Sequence, residues 1–189
     1  QIASALINTL HGRVESALID EARRKPSLAA YECVLRGIRH LRGYDPEDNT
    51  TARDLFQKAL DLDPEYTLAR AYLAFSEIVL QGYELAPRQL LENAKNVLVQ
   101  AVEHDPEDYR IHWLLGLACW SLGEEGSPMR HYARAIELNP GDANVKATCG
   151  IFLGAEEKYE QGIATITEAM RLNPYHPQWY WDELGNLLG

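Results

Sequence analysis

The chain has 189 residues, 46% hydrophobic and 24% charged, so it can bury a sizeable core and is too apolar for wholesale disorder. Twenty-eight acidic residues against 18 lysines and arginines leave a formal charge of -10, which excludes a general nucleic-acid binder unless the charges segregate strongly. No apolar run is long enough to cross a bilayer, so we expect no membrane partner. Three widely spaced cysteines give no disulfide framework and favour a cytoplasmic location.

The first predicted element is an N-terminal amphipathic helix within residues 1–26. Its apolar side chains recur every three or four residues and form one stripe: Ile2, Leu6, Leu10, Val14, Ala17 and Leu18. Ile19 and Ala22 lie 37 residues before Phe56 and Ala59, which places them in register with the repeats that follow. We therefore expect this helix to pack against the first repeat as the second half of a degenerate preceding unit.

A repeat of about 34 residues organises the rest of the chain. Three positions recur in each unit: a proline, an alanine five residues before it, and a small residue further upstream. They are Pro64, Pro106, Pro140 and Pro174; Ala59, Ala101, Ala135 and Ala169; and Gly37, Ala74, Gly116 and Gly150. Small residues let two helices approach closely. The pattern therefore predicts two packed helices in each unit. It also predicts that a helix starts at an Asp-Pro or Asn-Pro pair such as Asp63-Pro64.

The third unit carries the most specific pattern, Trp113-Leu-Leu-Gly116 followed by Tyr132, Ala135 and Pro140. This pattern resembles the tetratricopeptide repeat (TPR), a helix–turn–helix unit. The resemblance implies an all-α, right-handed solenoid of about ten helices. The units implied are TPR 1 at residues 27–64, TPR 2 at 65–106 with a long loop between its helices, TPR 3 at 107–142, TPR 4 at 143–175, and the first helix of a truncated TPR 5 at 176–189.

Four stretches, residues 28–37, 45–49, 55–60 and 173–181, carry a narrower resemblance. They are similar to the TPR arrays of bacterial class III adenylate cyclase-type signalling proteins and related winged-helix regulators. This resemblance implies a scaffolding or regulatory segment of a larger bacterial signalling protein, which the opening without an initiator Met also favours. The metal-binding aspartates and nucleotide loops of such cyclases are missing, so no catalytic role is implied.

No combination of side chains predicts catalysis. Cys33 and His40 share a helix face, but two turns separate them by about 10 Å, beyond hydrogen-bond reach. Cys119 and Cys149 lie in apolar helical stretches, which is typical of buried structural thiols. The histidines lack the spacing of a zinc site, and no glycine-rich phosphate loop is present. We therefore expect no catalytic residue, no metal ion and no cofactor.

The inner surface of the array is the predicted partner-binding site, because in TPR proteins the first helix of each unit lines a concave groove. The predicted groove residues are Tyr31, Val34, Ile38, Leu41, Ala71, Phe75, Ile78, Trp113, Leu117, Trp120, Ile151 and Trp179. TPR proteins that bind chaperone tails clamp a carboxylate with Lys, Arg and Asn, and those residue types are missing here. An apolar groove favours an amphipathic helix or another domain of the same chain as partner. Burial in the core is the alternative for each of these side chains.

Other functions remain open at this point. A free-standing TPR adaptor or chaperone is the alternative to a module of a larger protein, and an enzyme is the most distant alternative. The last predicted helix would expose the face that a following helix buries, so self-association through this open C-terminal end is also expected.

Overall fold

The computed structural model of the protein describes residues 26–41, 46–82 and 85–189. The N-terminal helix predicted within residues 1–26 lies outside these ranges, apart from residue 26. Within them the chain forms nine α-helices and no strand, and none of these helices is long and apolar enough to span a membrane. The helices are α1 (Leu28–Leu41), α2 (Pro46–Leu62), α3 (Thr67–Gln81), α4 (Arg88–His104), α5 (Tyr109–Ser121), α6 (Ser127–Leu138), α7 (Ala143–Ala155), α8 (Tyr159–Leu172) and α9 (Trp179–Leu188).

The helices pack in two layers. Each helix contacts the next one along the chain, so α1 and α2, α3 and α4, α5 and α6, and α7 and α8 form the two-helix units. In addition, α1 packs on α3, α3 on α5, and α7 on α9, whereas no two even-numbered helices make comparable contact in the described ranges. The odd-numbered helices therefore form an inner layer and the even-numbered helices an outer one, which confirms the predicted all-helical repeat fold.

The four repeat pairs at Pro64, Pro106, Pro140 and Pro174 follow the ends of helices, which corrects the sequence expectation that they start them, whereas Pro46 begins α2. The Asp63 amide donates to the Ala59 carbonyl at 2.9 Å and so closes α2, while α3 begins only at Thr67. A proline fits there because it cannot continue the preceding helix. The starts of α5 and α7 are capped instead by Asp108 and Asp142, whose carboxylates accept the backbone amide two residues further on, each at 2.9 Å.

Bulky side chains of the second helix in a unit cover the small residue of the first helix. A Cβ atom on Gly116 would lie 2.6 Å from the Tyr132 ring, and one on Gly150 would lie 2.6 Å from the Ile166 side chain; Gly37 is equally crowded. Because nothing larger than hydrogen fits, the two helices approach closely. The repeat alanines Ala59, Ala101, Ala135 and Ala169 are buried, and the prolines Pro64, Pro106, Pro140 and Pro174 are exposed in turns.

The core runs along the array rather than forming a single centre. One cluster of buried residues extends from α1 to α7. A smaller cluster at the C-terminal end joins α7, α8 and α9 around Ala147, Ala169 and Tyr180. Since neighbouring units share their interfaces in this way, the inner layer forms one continuous surface across all five inner helices.

Candidate functional site

A cavity of about 660 Å³ lies on the inner layer and receives side chains from all five odd-numbered helices. Eight predicted groove residues line it: Ile38, Leu41, Phe75, Trp113, Leu117, Trp120, Ile151 and Trp179. Five further lining residues were missed by the sequence reasoning: Tyr72, Ser121, Asn144, Thr148 and Glu183. These five lie at other positions of the same inner helices. The sequence reasoning used only fixed offsets from the small-residue column, and a complete helical wheel for each helix could have found them.

Aromatic rings form the central wall of the cavity. The Phe75 and Trp113 ring centroids lie 6.4 Å apart with a tilt of 45°. The Trp120 ring meets Phe152 edge to face at 5.9 Å, and this contact anchors the indole to the core. Trp113 and Trp120 are each half-buried, so each indole is held by the core on one side and accessible from the cavity on the other.

The remaining four predicted groove residues do not line the cavity, and this corrects the sequence expectation. Val34, Ala71 and Ile78 have no exposed surface and lie in the core. Val34 and Ala71 occupy the same position relative to the small-residue column as Trp113, but their short side chains are covered where the indole extends outward. Tyr31 is 40% exposed and lies at the start of α1, away from the cavity.

The polar groups in the cavity wall are mostly bonded within the protein. Thr148 Oγ1 donates to the Asn144 carbonyl at 2.9 Å, and the Ser121 hydroxyl donates to the Leu117 carbonyl at 3.1 Å. The Asn144 side-chain oxygen accepts the Tyr180 hydroxyl at 2.8 Å. These bonds leave a wall that is predominantly apolar toward the cavity.

A second cavity of about 340 Å³ adjoins the first and shares Ile38, Tyr72, Trp113 and Asn144 with it. It adds the charged side chains of Arg39, Arg110 and Asp142. The Arg110 guanidinium binds the Asp108 carboxylate at 2.8 and 2.5 Å. Burial lowers the pKa of Arg110, but the hydrogen bonds and charge of Asp108 outweigh burial and hold that pKa above its usual value. Arg110 is therefore already neutralised, whereas Arg39 has no ion-pair partner in the described ranges.

The candidate nucleophiles of the sequence are placed in inert surroundings. Burial raises the pKa of the Cys149 thiol to about 11 and raises that of Cys119 as well, so both thiols stay protonated at neutral pH. His40 Nδ1 lies 2.8 Å from Asp48 Oδ1, so this imidazole is held by a carboxylate and not by Cys33. In the part of the chain that the structure describes, no three His, Cys, Asp or Glu residues are grouped as metal ligands would be.

Comparisons with known proteins identify the fold. The family model of the tetratricopeptide repeat matches residues 79–143, from the end of α3 to the start of α7. A thermophilic TPR protein of Thermus thermophilus is 17% identical, with a TM-score of 0.57 over 85% of this chain and 99% of that one. PilF of Pseudomonas aeruginosa is 21% identical, with a TM-score of 0.59 over 85% of this chain and 68% of that one. The described helices thus have the fold of TPR proteins, and residues 79–143 match the repeat itself.

Two further proteins are similar to this chain. YrrB, described as a TPR protein with an unusual peptide-binding site, is 17% identical, with a TM-score of 0.51 over 91% of this chain and 80% of that chain. An uncharacterized protein of Haemophilus influenzae is 30% identical over 99 residues, which cover 50% of this chain and 55% of that protein. The chain therefore spans about half the length of this curated relative.

Proposed function

We propose that the protein is a non-catalytic interaction module that binds an amphipathic helix of a partner protein in the cavity on its inner layer. The observation that carries this proposal is the pair of half-buried indoles of Trp113 and Trp120, which stand on one concave, largely apolar surface, with the buried Phe75 ring beside Trp113. Aromatic residues in such positions dominate binding energy because they contribute a large contact area at low entropic cost.

The shape of the surface favours an extended helical partner. The lining residues come from five successive inner helices, from Leu41 on α1 to Trp179 on α9, so the site extends along the array. Trp113 and Trp120 lie seven residues apart on α5 and therefore point the same way after two turns. A partner helix with apolar residues at positions i, i+4 and i+7 matches such a row of anchors.

The two ends of the site differ in charge. Arg39 stands at the α1 end, and Glu183 is the one charged side chain among those that line the larger cavity, at the α9 end. Neither forms an ion pair with another described residue. A partner helix with an acidic residue toward α1 and a basic residue toward α9 would complement both charges, which fixes its orientation more than its affinity.

The setting of the module is a separate proposal. The narrower sequence resemblance supports a scaffolding or regulatory module of a larger bacterial signalling protein, with an amphipathic helix or another domain of that protein as the partner. A free-standing adaptor or chaperone is the alternative. The gene decides between them, since a cyclase-type or winged-helix domain in the same reading frame supports the first and an isolated array supports the second.

The groove is tested by selecting binders from a displayed library of amphipathic 18-residue helices and measuring their affinity by calorimetry. For the Trp113→Ala/Trp120→Ala double variant we expect at least a roughly thirtyfold loss of affinity, or about 2 kcal/mol. Trp181→Ala is the matched control, because this indole is 56% exposed and lies outside the cavity. Helices that bind the folded double variant at full strength would refute the proposal, and so would a library that yields no binder.

A further inference from the structure

Two histidines of TPR 3 meet where α5 and α6 pack together. His112 lies four residues before Gly116 on α5. His131 directly precedes Tyr132, the α6 residue whose ring covers that glycine. Because the glycine lets the helices approach closely, the Nδ1 atoms of the two imidazoles lie 3.5 Å apart and the ring centroids 5.8 Å apart. The residues are 19 positions apart, which matches no short metal-binding motif, so only the folded chain brings them together.

The second ring nitrogen of His112 determines what its Nδ1 atom presents to His131. His112 Nε2 lies 3.0 Å from the Pro106 carbonyl oxygen. A carbonyl oxygen only accepts hydrogen bonds, so Nε2 carries the proton, and Nδ1 of the neutral ring carries a lone pair. His112 is 7% exposed, so the surrounding packing holds the ring in this orientation. Histidines that ligate metals are arranged in this way, with one nitrogen on the ion and the other donating to a carbonyl or a carboxylate.

The distance between the two Nδ1 atoms fits a shared ion better than a hydrogen bond. Hydrogen bonds from N–H groups are about 2.7–3.2 Å long, so a contact of 3.5 Å leaves the His112 lone pair poorly satisfied. An imidazole nitrogen lies about 2.0–2.1 Å from Zn²⁺, and two such ligands at the tetrahedral angle are about 3.3–3.4 Å apart. The two nitrogens of this pair are therefore separated by nearly the distance between two ligands of one tetrahedral ion.

The charges around the pair are compatible with a bound cation. Lys95 and Glu124 act on His131 with opposite signs, and they form an ion pair with each other, so their charges largely cancel. Arg130 is exposed, and solvent screens its charge. His131 itself is half-buried, so water can reach one side of the pair and complete the coordination of an ion.

We propose that His112 and His131 bind a late first-row transition-metal ion of the Zn²⁺ class through their two Nδ1 atoms. Imidazole suits such ions, whereas Mg²⁺ and Ca²⁺ take oxygen ligands. No third His, Cys, Asp or Glu of the described ranges is grouped with the pair, so the site has fewer protein ligands than a structural zinc site and binds less tightly. The ion joins α5 to α6. The pair lines neither cavity, so this inference does not depend on what binds the inner layer.

Calorimetric titration of the metal-free chain with Zn²⁺ at neutral pH tests this site, with Mg²⁺ as the ion that should not bind. His131→Gln should lower the Zn²⁺ affinity at least tenfold, because it removes one ligand at a half-buried position. His104→Gln is the matched control, since it removes an exposed histidine of α4 that is not part of the pair. Saturating Zn²⁺ should raise the melting temperature of the wild type and of His104→Gln, but not that of His131→Gln.

The imidazole nitrogen resonances identify the ligating atoms. In long-range ¹H–¹⁵N correlation spectra, Zn²⁺ should shift the Nδ1 resonances of His112 and His131, while His112 Nε2 keeps its proton. His112→Gln should remove the site as well, and His131→Gln decides alone if that buried variant fails to fold. A wild type that does not bind Zn²⁺, a folded His131→Gln variant that binds it as tightly as the wild type, or spectra in which Zn²⁺ shifts only other histidines would each overturn the proposal.

Discussion

The inner helices α5 and α7 occupy equivalent places in TPR 3 and TPR 4, yet the structure uses them differently. On α5 the positions three before and four after the glycine column are Trp113 and Trp120, and both indoles line the cavity. On α7 the same positions are Ala147 and Gly154, which are buried. Leu187 of α9 sits against Gly154, where a Cβ atom would clash with it.

Side-chain size at two positions therefore distinguishes the inner helix whose indoles line the cavity from the inner helix that packs against α9. The large rings of Trp113 and Trp120 border the cavity on α5. The small residues Ala147 and Gly154 allow α9 to pack closely against α7. Both units consist of two packed helices. The position of a residue relative to the glycine column therefore does not by itself determine whether its side chain lines the cavity or is buried. The variants below test this comparison.

The largest expected effect comes from Gly150→Leu on α7. A Cβ atom there would lie 2.6 Å from the Ile166 side chain and 2.9 Å from the Gly162 backbone oxygen, and backbone cannot move aside. We expect the free energy of unfolding to fall by about 3 kcal/mol, measured by urea denaturation. For Gly116→Leu on α5 the three nearest atoms to the new Cβ all belong to the Tyr132 ring, a side chain, so the loss should be about 2 kcal/mol. Equal or negligible losses would contradict the difference between the two units.

Gly154→Trp transfers the α5 side chain to α7. The indole would occupy the place of Leu187, so α9 should no longer pack against α7. We expect the free energy of unfolding to fall by about 2 kcal/mol. Amide hydrogen exchange should show faster exchange in residues 180–188, with the remaining helices unchanged. The control is Ile151→Trp, which enlarges a half-buried residue in the cavity wall of the same helix. Unchanged protection of α9 in Gly154→Trp would show that size at this position does not matter.

Acid should destabilise TPR 3 through His131. The pKa of His131 is lowered to about 4, mainly by burial and then by His112 and the positive charges of Arg130 and Lys95. In an unfolded chain a histidine has its ordinary pKa of about 6.5. The unfolded state therefore binds more protons, so stability is full above pH 6.5 and falls by about 2 kcal/mol as the pH approaches 4. Urea denaturation of His131→Gln at several pH values should show a weaker decline over this range; an identical decline would remove His131 as the cause.

Trp120→Ala should have the smallest effect on stability. The indole is half-buried and its edge contact with Phe152 is one side of its packing, so we expect a loss of about 1 kcal/mol. Phe152→Ala, which truncates the buried partner, should lose about 3 kcal/mol. Thermal melting compares them directly. A loss for Trp120→Ala as large as that for Phe152→Ala would mean that this indole belongs to the core and not to the binding surface.

The sequence predicted the all-helical repeat fold, because the repeat pattern depends on contacts between nearby residues. Gly116 and Tyr132 are 16 residues apart, and their fit follows from size alone. The helix starts were wrong because Asp63-Pro64 satisfies the rules for a cap at either end of a helix, and only the bond to the Ala59 carbonyl decides which applies.

Only some of the residues that line the cavity were predicted, because exposure depends on contacts between helices. A position relative to the glycine column gives the direction of a side chain, but its exposure depends on its length and on the neighbouring helix. Trp113 reaches the cavity and Ala71 does not, although both have the same register. Glu183 and Asn144 were missed because they reach the cavity from two different helices, α9 and α7, and no pattern within one helix records how the two helices approach each other.

The aromatic wall gives the protein a built-in optical reporter. Of its four tryptophans, Trp113, Trp120 and Trp179 line the cavity, and Trp181 points away from it. Removing Trp181 would leave tryptophan emission that comes entirely from the cavity wall. Entry of an apolar helix would exclude water from those indoles and shift their emission to shorter wavelength, so occupancy could be followed in real time without attaching a dye.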